Sequence, residues 1–222
     1  MTWNVVLFDL DGTLTDSEPG VVNGIVHAMA QMGKVIPPET NYRKFLGPPL
    51  SYSFRNYLDL NEHDAVAAIE IYRDYYHETG RFENSVYPGI VDLLQRLSDE
   101  NKRIAVATSK VEYSAESIVH HFDLQDYFEF VVGCDEHGTH RGTKGLVIQD
   151  ALTRLKVSTK DSVVMIGDRE HDVYGAKEND IESIGVLWGY GGHEELAAAG
   201  AQNIADSTLA LTSLLFNRGN ND

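Results

Sequence analysis

The chain has 222 residues, of which 42% are hydrophobic and 23% are charged, so it can form one large domain or a core with a smaller insertion. Its formal net charge of −16 would repel nucleic acid backbones and anionic membranes, and we expect neither as a partner. The same charge also repels a small anionic substrate unless a cation and local basic groups reverse the field.

Short β-branched runs alternate with helical patterns through most of the chain. The predicted strands are Asn4–Asp9, Arg103–Thr108, Phe128–Val132, Ser162–Gly167 and Ser183–Leu187. The predicted helices between them are Gly89–Asn101, Glu112–His121, Lys144–Leu155 and His171–Asn179. Continuous apolar strands in such an alternation predict an α/β fold with a doubly wound parallel sheet.

The stretch between the first strand and the first of these helices differs, because it contains no convincing strand. Ser17 is predicted to cap a helix that begins near Pro19. Further helices are predicted at Glu39–Phe45, Leu50–Leu58 and Glu62–Thr79. The sequence therefore predicts a core of residues 1–16 and 87–222 with an all-helical insertion of residues 17–86, joined by hinges near 16–18 and 83–87.

Cys134 is the only cysteine, so an intrachain disulfide is impossible and a reducing compartment is expected. The N-terminus lacks the pattern of a signal peptide. The longest apolar runs are too short to cross a bilayer. These features predict a cytoplasmic protein.

Ligands of doubly wound sheets bind beyond the carboxyl ends of the strands, where this chain carries polar groups. These groups are Asp9, Asp11, Gly12 and Thr13 after the first strand, Thr108, Ser109 and Lys110 after the second, Arg141 and Lys144 after the third, and Asp168 and Asp172 after the fourth. Their convergence on one crevice is stronger evidence for an active site than any single motif.

The carboxylates supply hard oxygen ligands that suit Mg²⁺, which also resolves the charge problem. Asp9 can act as a nucleophile towards a phosphate ester, giving an acyl phosphate that water then hydrolyses. Asp11 is placed to protonate the leaving group and later to accept a proton from water. Gly12 permits the sharp turn that brings both side chains together.

The non-reacting phosphate oxygens also have predicted ligands. Thr108 and the backbone N–H groups of Ser109 and Lys110 can bind them at a helix N-terminus. Lys144 offers a point charge to the same oxygens and to Asp9. Phosphoryl transfer requires little beyond such positioning and charge neutralisation.

These segments resemble the four signature motifs of the haloacid dehalogenase (HAD) superfamily, and the helical insertion resembles its C1-type cap. The chain is most similar to the phosphoglycolate phosphatase and 5′-nucleotidase-like branch of subfamily IA. The similarity lies in Phe8–Ser17, Phe45–Leu50, Tyr87–Gly89 and Met165–Arg169.

The resemblance implies a phosphatase with Asp9 as nucleophile and Asp11 as acid/base. It implies Mg²⁺ held by the Asp9 side chain, the Asp11 carbonyl and Asp168, with Asp172 as a support. The phosphate would be held by Thr108, Ser109 and Lys144, with Gly12, Thr13 and Lys110 beside it. Within the cap, the residues themselves make Arg43, Lys44 and the Gly47–Pro49 loop the best candidates for contact with the leaving group.

Several of these features have simpler interpretations. Asp9–Gly12 alone could be a hairpin turn, Lys144 alone a solvated surface lysine, and Asp172 an acid favoured by the helix dipole. Arg43 could lie on a solvated helix face. Cys134, His137 and His140 suggest zinc, but their spacing is unusual and a fourth ligand is missing. The segment 189–192 could bind phosphate but is better explained as a connecting turn.

Other functions remain open at this point. A phosphomutase of the β-phosphoglucomutase type would use the same core but return the phosphate to a sugar. A dehalogenase would need neither Asp11 nor a metal. A phospho-accepting signalling module is a non-enzymatic alternative, although its accepting Asp normally follows the third strand, where the chain has Val131–Cys134.

Overall fold

The computed structural model describes residues 3–46, 50–135 and 139–217. The chain divides into two compact units, one of Met1–Asp16 with Val86–Asp222 and the other of Ser17–Ser85. In the described parts of the chain, every helix is too short or too polar to cross a bilayer. That the helical unit acts as a C1-type cap stays a prediction.

The strands of the chain are short. They are β1 Val5–Phe8, β2 Thr15–Asp16, β3 Ser85–Val86, β4 Arg103–Val111, β5 Val131–Cys134, β6 Val163–Gly167, β7 Glu182–Val186 and β8 Asn203–Ala205. Six of them form one parallel sheet in the order β5-β4-β1-β6-β7-β8. The predicted α/β fold with a doubly wound parallel sheet is therefore confirmed.

The α-helices of the described residues alternate with the strands in the first unit. They are α1 Glu18–Gln31, α2 Leu50–Tyr57, α3 Glu62–Glu78, α4 Ile90–Asp99, α5 Glu112–His121, α6 Lys144–Arg154, α7 Glu170–Glu178, α8 His193–Ala199 and α9 Thr208–Asn217. The sequence analysis missed the two-residue strands β2 and β3 as well as β8, α8 and α9. β8 has only three residues and includes a polar one, so it lacks the apolar run by which the other strands were found.

The two faces of the sheet are covered by different helices because side chains alternate along each strand. Val6 and Phe8 of β1 belong to a core that includes residues of α4, α5 and α9. Val5 and Leu7 belong to a second core, with residues of α6 and α7. Burial on both faces explains why β1 and β6 read as continuous apolar runs.

The helical unit packs α1 and α2 against α3. Tyr72 of α3 is buried and stacks on Tyr76, with ring centroids 5.5 Å apart. Tyr75 donates a hydrogen bond to Glu83 at 2.9 Å. Tyr72, Tyr75 and Tyr76 of α3 therefore contribute to the packing of this unit.

Two local predictions for this unit were wrong. Ser17 occupies the position before α1, but its side chain makes no capping hydrogen bond because its backbone is not extended (φ −89°, ψ 1°). The helix predicted at Glu39–Phe45 is only a 3₁₀ turn at Tyr42–Phe45, which the side chain of Asn41 caps. Pro37 and Pro38, just before this segment, restrict the backbone there.

Candidate active site

Two aspartates lie side by side at the carboxyl edge of the sheet. Asp9 directly follows β1, and its backbone N–H donates to the carbonyl of Ile166 at 2.8 Å. Asp168 directly follows the neighbouring strand β6 and is fully buried. The adjacency of β1 and β6 thus brings together residues that are 159 positions apart in the sequence.

Lys144 places a buried ammonium group between two of the predicted acids. Its Nζ lies 2.8 Å from Asp9 Oδ1 and 2.8 Å from Asp172 Oδ1, and it donates to the carbonyl of Ala107 at 3.0 Å. Burial opposes the charge on this amine, but Asp172 and Asp9 more than compensate and raise the Lys144 pKa above its ordinary value. Lys144 is therefore a permanent cation of this cluster.

The start of α6 explains how Lys144 is held. Thr143 caps the helix by accepting a hydrogen bond from the N–H of Leu146 at 3.3 Å. Gly145 is a poor helix former, but a Cβ there would overlap the side chain of Glu178. The glycine at this position allows α6 and α7 to approach closely, which brings Lys144 near Asp172.

Asp9, Asp168 and Asp172 form a cluster that could hold a metal ion. Each offers a carboxylate oxygen, these oxygens lie within 4.8 Å of one another, and all three residues are buried. Burial raises the pKa of Asp9 to about 6, since the charge of Lys144 offsets only part of the desolvation and Asp172 adds to it. Burial, with the charges of Asp172 and Asp9, raises the pKa of Asp168 to about 8. The cluster thus carries more negative charge than Lys144 balances.

Asp11 lies on the turn after β1, beside this cluster in the sequence. The turn is closed by a hydrogen bond from the N–H of Gly12 to the carbonyl of Thr15 at 2.8 Å. Gly12 has a φ of +80°, and a Cβ there would overlap the carboxylate of Asp168. Gly12 is therefore required both by the backbone conformation and by the close approach of a predicted metal ligand.

Thr108 is buried at the same edge, but its surroundings differ from the prediction. The strand β4 continues to Val111 and α5 begins at Glu112, so Ser109 and Lys110 do not lie at a helix N-terminus. The pairing of β4 with β5 is irregular between Ala107 and Val111. The Thr108 hydroxyl accepts a hydrogen bond from the N–H of Lys110 at 3.2 Å, while Ser109 is exposed. The last residues of β4 are held by β5, where Val111 lies opposite Cys134, and this pairing between distant segments explains why the strand was predicted to end too early.

The model of the haloacid dehalogenase-like hydrolase family matches residues 6–186, which include all of the clustered groups. The chain belongs to this family. The resemblance found in the sequence is thereby confirmed.

Relatives of this HAD family member differ in the activities that their names describe. This chain is 41% identical over 187 residues to the tyrosine-protein kinase PtkA of Mycobacterium tuberculosis. The match covers 84% of this chain but only 63% of PtkA. The chain is 35% identical over 210 residues to a 5′-nucleotidase of Pseudomonas aeruginosa, covering 95% of this chain and 94% of the relative. A solved haloacid dehalogenase-like hydrolase from Streptococcus pneumoniae superimposes with a TM-score of 0.88 at 29% identity, covering 96% of this chain and 98% of the other.

One supporting element of this HAD site was missed by the sequence analysis. The backbone N–H of Tyr190 donates to Asp168 Oδ2 at 2.7 Å, and the indole N–H of Trp188 donates to the carbonyl of Thr13 at 3.0 Å. A Cβ at Gly189 would overlap the side chain of Asp168, and one at Gly191 would overlap its carbonyl. The segment 188–191 therefore holds Asp168 and is more than a connecting turn. Alternate glycines after a parallel strand are a signal of close backbone approach that could have indicated this.

Of the remaining predicted residues, Thr13 lies beside the acid cluster, whereas Arg43 belongs to the helical unit. The Thr13 hydroxyl donates to Asp168 Oδ1 at 3.3 Å, so its side chain contacts a predicted metal ligand. Arg43 belongs to the helical unit, where its Nε pairs with Glu18 at 3.1 Å. Gly47 and His137 lie outside the described residues, so the contact predicted for Gly47 and the zinc hypothesis stay predictions.

Proposed function

We propose that this HAD hydrolase is a Mg²⁺-dependent phosphatase that hydrolyses a small phosphomonoester through a phospho-aspartyl intermediate on Asp9. The observation that carries the proposal is the buried cluster of Asp9, Asp168 and Asp172 with Lys144 bonded to two of them. The 5′-nucleotidase relative, which is similar over nearly its whole length, supports phosphomonoester hydrolysis.

The acid cluster fits Mg²⁺ by its chemistry. Its donors are hard carboxylate oxygens, and the raised pKa values of Asp9 and Asp168 arise first from burial and then from the charges of the neighbouring acids, which a divalent cation would offset. The side chains of Asp9 and Asp168 and the carbonyl of Asp11 would hold the ion, and Asp172 would support it. When bound, Mg²⁺ would neutralise these acids and polarise the phosphoryl group.

Asp9 is proposed as the nucleophile because it is the acid of the cluster that directly follows the central strand β1 and is bonded to Lys144. The Lys144 ammonium would hold Asp9 as a carboxylate and attract the non-reacting phosphate oxygens. Thr108 and Ser109 would bind the same oxygens, and Gly12, Thr13 and Lys110 would line this part of the site. Asp11 would protonate the leaving alkoxide and later accept a proton from water.

The choice of substrate is proposed to depend on the helical unit. Arg43 and Gly47 are the candidates for contact with the leaving group, and basic residues there would attract a second anionic group. Phosphoglycolate, nucleoside monophosphates and sugar phosphates are the candidate substrates.

The test is a screen of phosphorylated metabolites for phosphate release with Mg²⁺ and with a chelator. We expect Mg²⁺-dependent release that Asp9→Asn abolishes, whereas Asp180→Asn, an exposed aspartate with a positive φ that asparagine tolerates, keeps it. Rapid quenching followed by mass analysis should show a phosphorylated peptide containing Asp9 in the wild type. Phosphate release retained by Asp9→Asn would overturn the proposed nucleophile.

The similarity to PtkA favours a second candidate, transfer of the phosphoryl group to a tyrosine hydroxyl. The same cluster could serve this reaction with a hydroxyl acceptor in place of water. Incubation with γ-labelled ATP and a tyrosine-containing peptide distinguishes the two, because a kinase labels the peptide and a phosphatase releases phosphate. A phosphomutase would instead yield isomerised sugar phosphates without free phosphate.

A further inference from the structure

The side chain of Lys110 is bonded to the predicted acid/base. Its Nζ donates to Asp11 Oδ2 at 2.7 Å. The Lys110 side chain is only 12% exposed and that of Asp11 is 25% exposed, so the contact is more sheltered than an ordinary surface ion pair. Lys110 reaches Asp11 from the carboxyl end of β4, which adjoins β1 in the sheet.

The two oxygens of Asp11 have different surroundings. Oδ2 accepts the hydrogen bond from Lys110, whereas Oδ1 is buried and has no hydrogen-bond partner among the described residues. A buried carboxylate oxygen without a partner costs free energy, so its presence in a candidate active site suggests a functional reason. The contact with Lys110 limits rotation of the carboxylate and keeps the two oxygens distinct.

Two lysines of the site thus have different acidic partners. Lys144 bonds to Asp9, the proposed nucleophile, while Lys110 bonds to Asp11, the proposed acid/base. The extension of β4 to Val111 separates these roles, because it places Lys110 in an extended segment and not at a helix N-terminus where its backbone would bind phosphate.

We infer that Lys110 is a positioning residue for Asp11, which holds Oδ2 so that Oδ1 exchanges the proton with the leaving group and with water. The inference rests on the proposed phosphatase function. As Asp11 gives up its proton it gains a negative charge, and the ammonium of Lys110 at 2.7 Å stabilises that charge.

In the proposed reaction, Asp9 first accepts the phosphoryl group and water then hydrolyses the phospho-aspartate. In the first, Asp9 attacks phosphorus, the bond from phosphorus to the leaving oxygen breaks with its electron pair, and the proton on Asp11 Oδ1 passes to that oxygen. In the second, water attacks the phospho-aspartate, its proton passes to Asp11, and Asp9 is released as a carboxylate. Lys110 keeps its proton in both steps and donates its hydrogen bond to Asp11 Oδ2.

The test uses two aryl esters of similar shape, p-nitrophenyl phosphate and phenyl phosphate. The nitrophenolate leaves readily without a proton, whereas phenolate depends more strongly on the general acid. The ratio kcat/KM reports the first step, up to release of the phenol. If Lys110 positions Asp11, Lys110→Met should lower kcat/KM for phenyl phosphate about tenfold more than for p-nitrophenyl phosphate.

Two further variants make the test specific. Lys110→Arg, which retains a donor, should restore part of the activity towards phenyl phosphate. Lys160→Met removes another lysine paired with an aspartate, but on an exposed surface at the amino end of β6, and should behave as wild type. Circular dichroism of each variant shows whether it folds. If Lys110→Met does not fold, the two esters are compared with Lys110→Arg instead.

The outcomes separate this inference from the proposed function. An equal loss for both esters in an active enzyme would overturn the positioning role and indicate that Lys110 binds the phosphate. A rise in KM that is equal for the two esters, with unchanged kcat, would overturn it as well. A wild-type enzyme that releases phosphate from neither ester and from no metabolite of the screen in Mg²⁺ would instead overturn the proposed function itself.

Discussion

Removal of the divalent ion should make the stability of this protein fall steeply as the pH rises. The reason is Asp168, whose pKa of about 8 in the folded protein compares with an ordinary value of 3.8. Between these values the folded protein keeps a proton that the unfolded chain has released. A group whose pKa is raised by folding contributes stability at low pH and loses it as the pH rises through the folded pKa.

The size of the effect follows from this one proton. Each pH unit in the range lowers the free energy of unfolding by about 1.4 kcal/mol, so the loss between about pH 5 and about pH 8 is about 3–4 kcal/mol. Asp9, with a pKa of about 6, adds to the slope in the lower part of the range. Bound Mg²⁺ requires the deprotonated carboxylates and should remove most of this slope.

The assay is urea denaturation at several pH values, with Mg²⁺ and with a chelator. Groups far from the ion contribute equally to both curves, so the difference between the curves isolates the cluster. Asp168→Asn should abolish the difference, whereas Asp180→Asn, which changes an exposed aspartate, should preserve it. Parallel curves for the wild type from about pH 5 to about pH 8 would refute the reasoning.

Two further substitutions test the cluster and its support. Lys144→Met should destabilise the metal-free protein by about 3–5 kcal/mol in urea denaturation, because two buried carboxylates lose their cation; a loss no greater than that of the exposed Lys160→Met would contradict this. Gly189→Ala should lower the affinity for Mg²⁺ at least about tenfold, because the added methyl group would displace Asp168. The affinity is measured from the rise in the thermal unfolding temperature as Mg²⁺ is added. Gly192→Ala is the control, because a Cβ there meets nothing within 4 Å, and equal effects of the two alanines would refute the supporting role.

Much of the fold could be predicted because it depends on local patterns. β1 and β6 are buried on both faces, so their apolar runs are continuous and easily recognised. β8 could not be predicted in the same way, because its three residues form a strand by pairing with β7, which is distant in the sequence. The early limit given to β4 has the same cause, since its last residue, Val111, pairs with Cys134 of β5.

The sequence by itself determined which residues follow the strands, and therefore which acids and which lysine are candidates for one site. Side-chain chemistry and the rule that parallel strands present their carboxyl ends at one edge suffice for that. Only the tertiary structure decided that Lys144 lies between Asp9 and Asp172, that Tyr190 supports Asp168, and that Lys110 bonds to Asp11. These are contacts of a few ångströms between distant segments, and they follow from how β4, β6 and the segment after β7 pack, which no local pattern specifies.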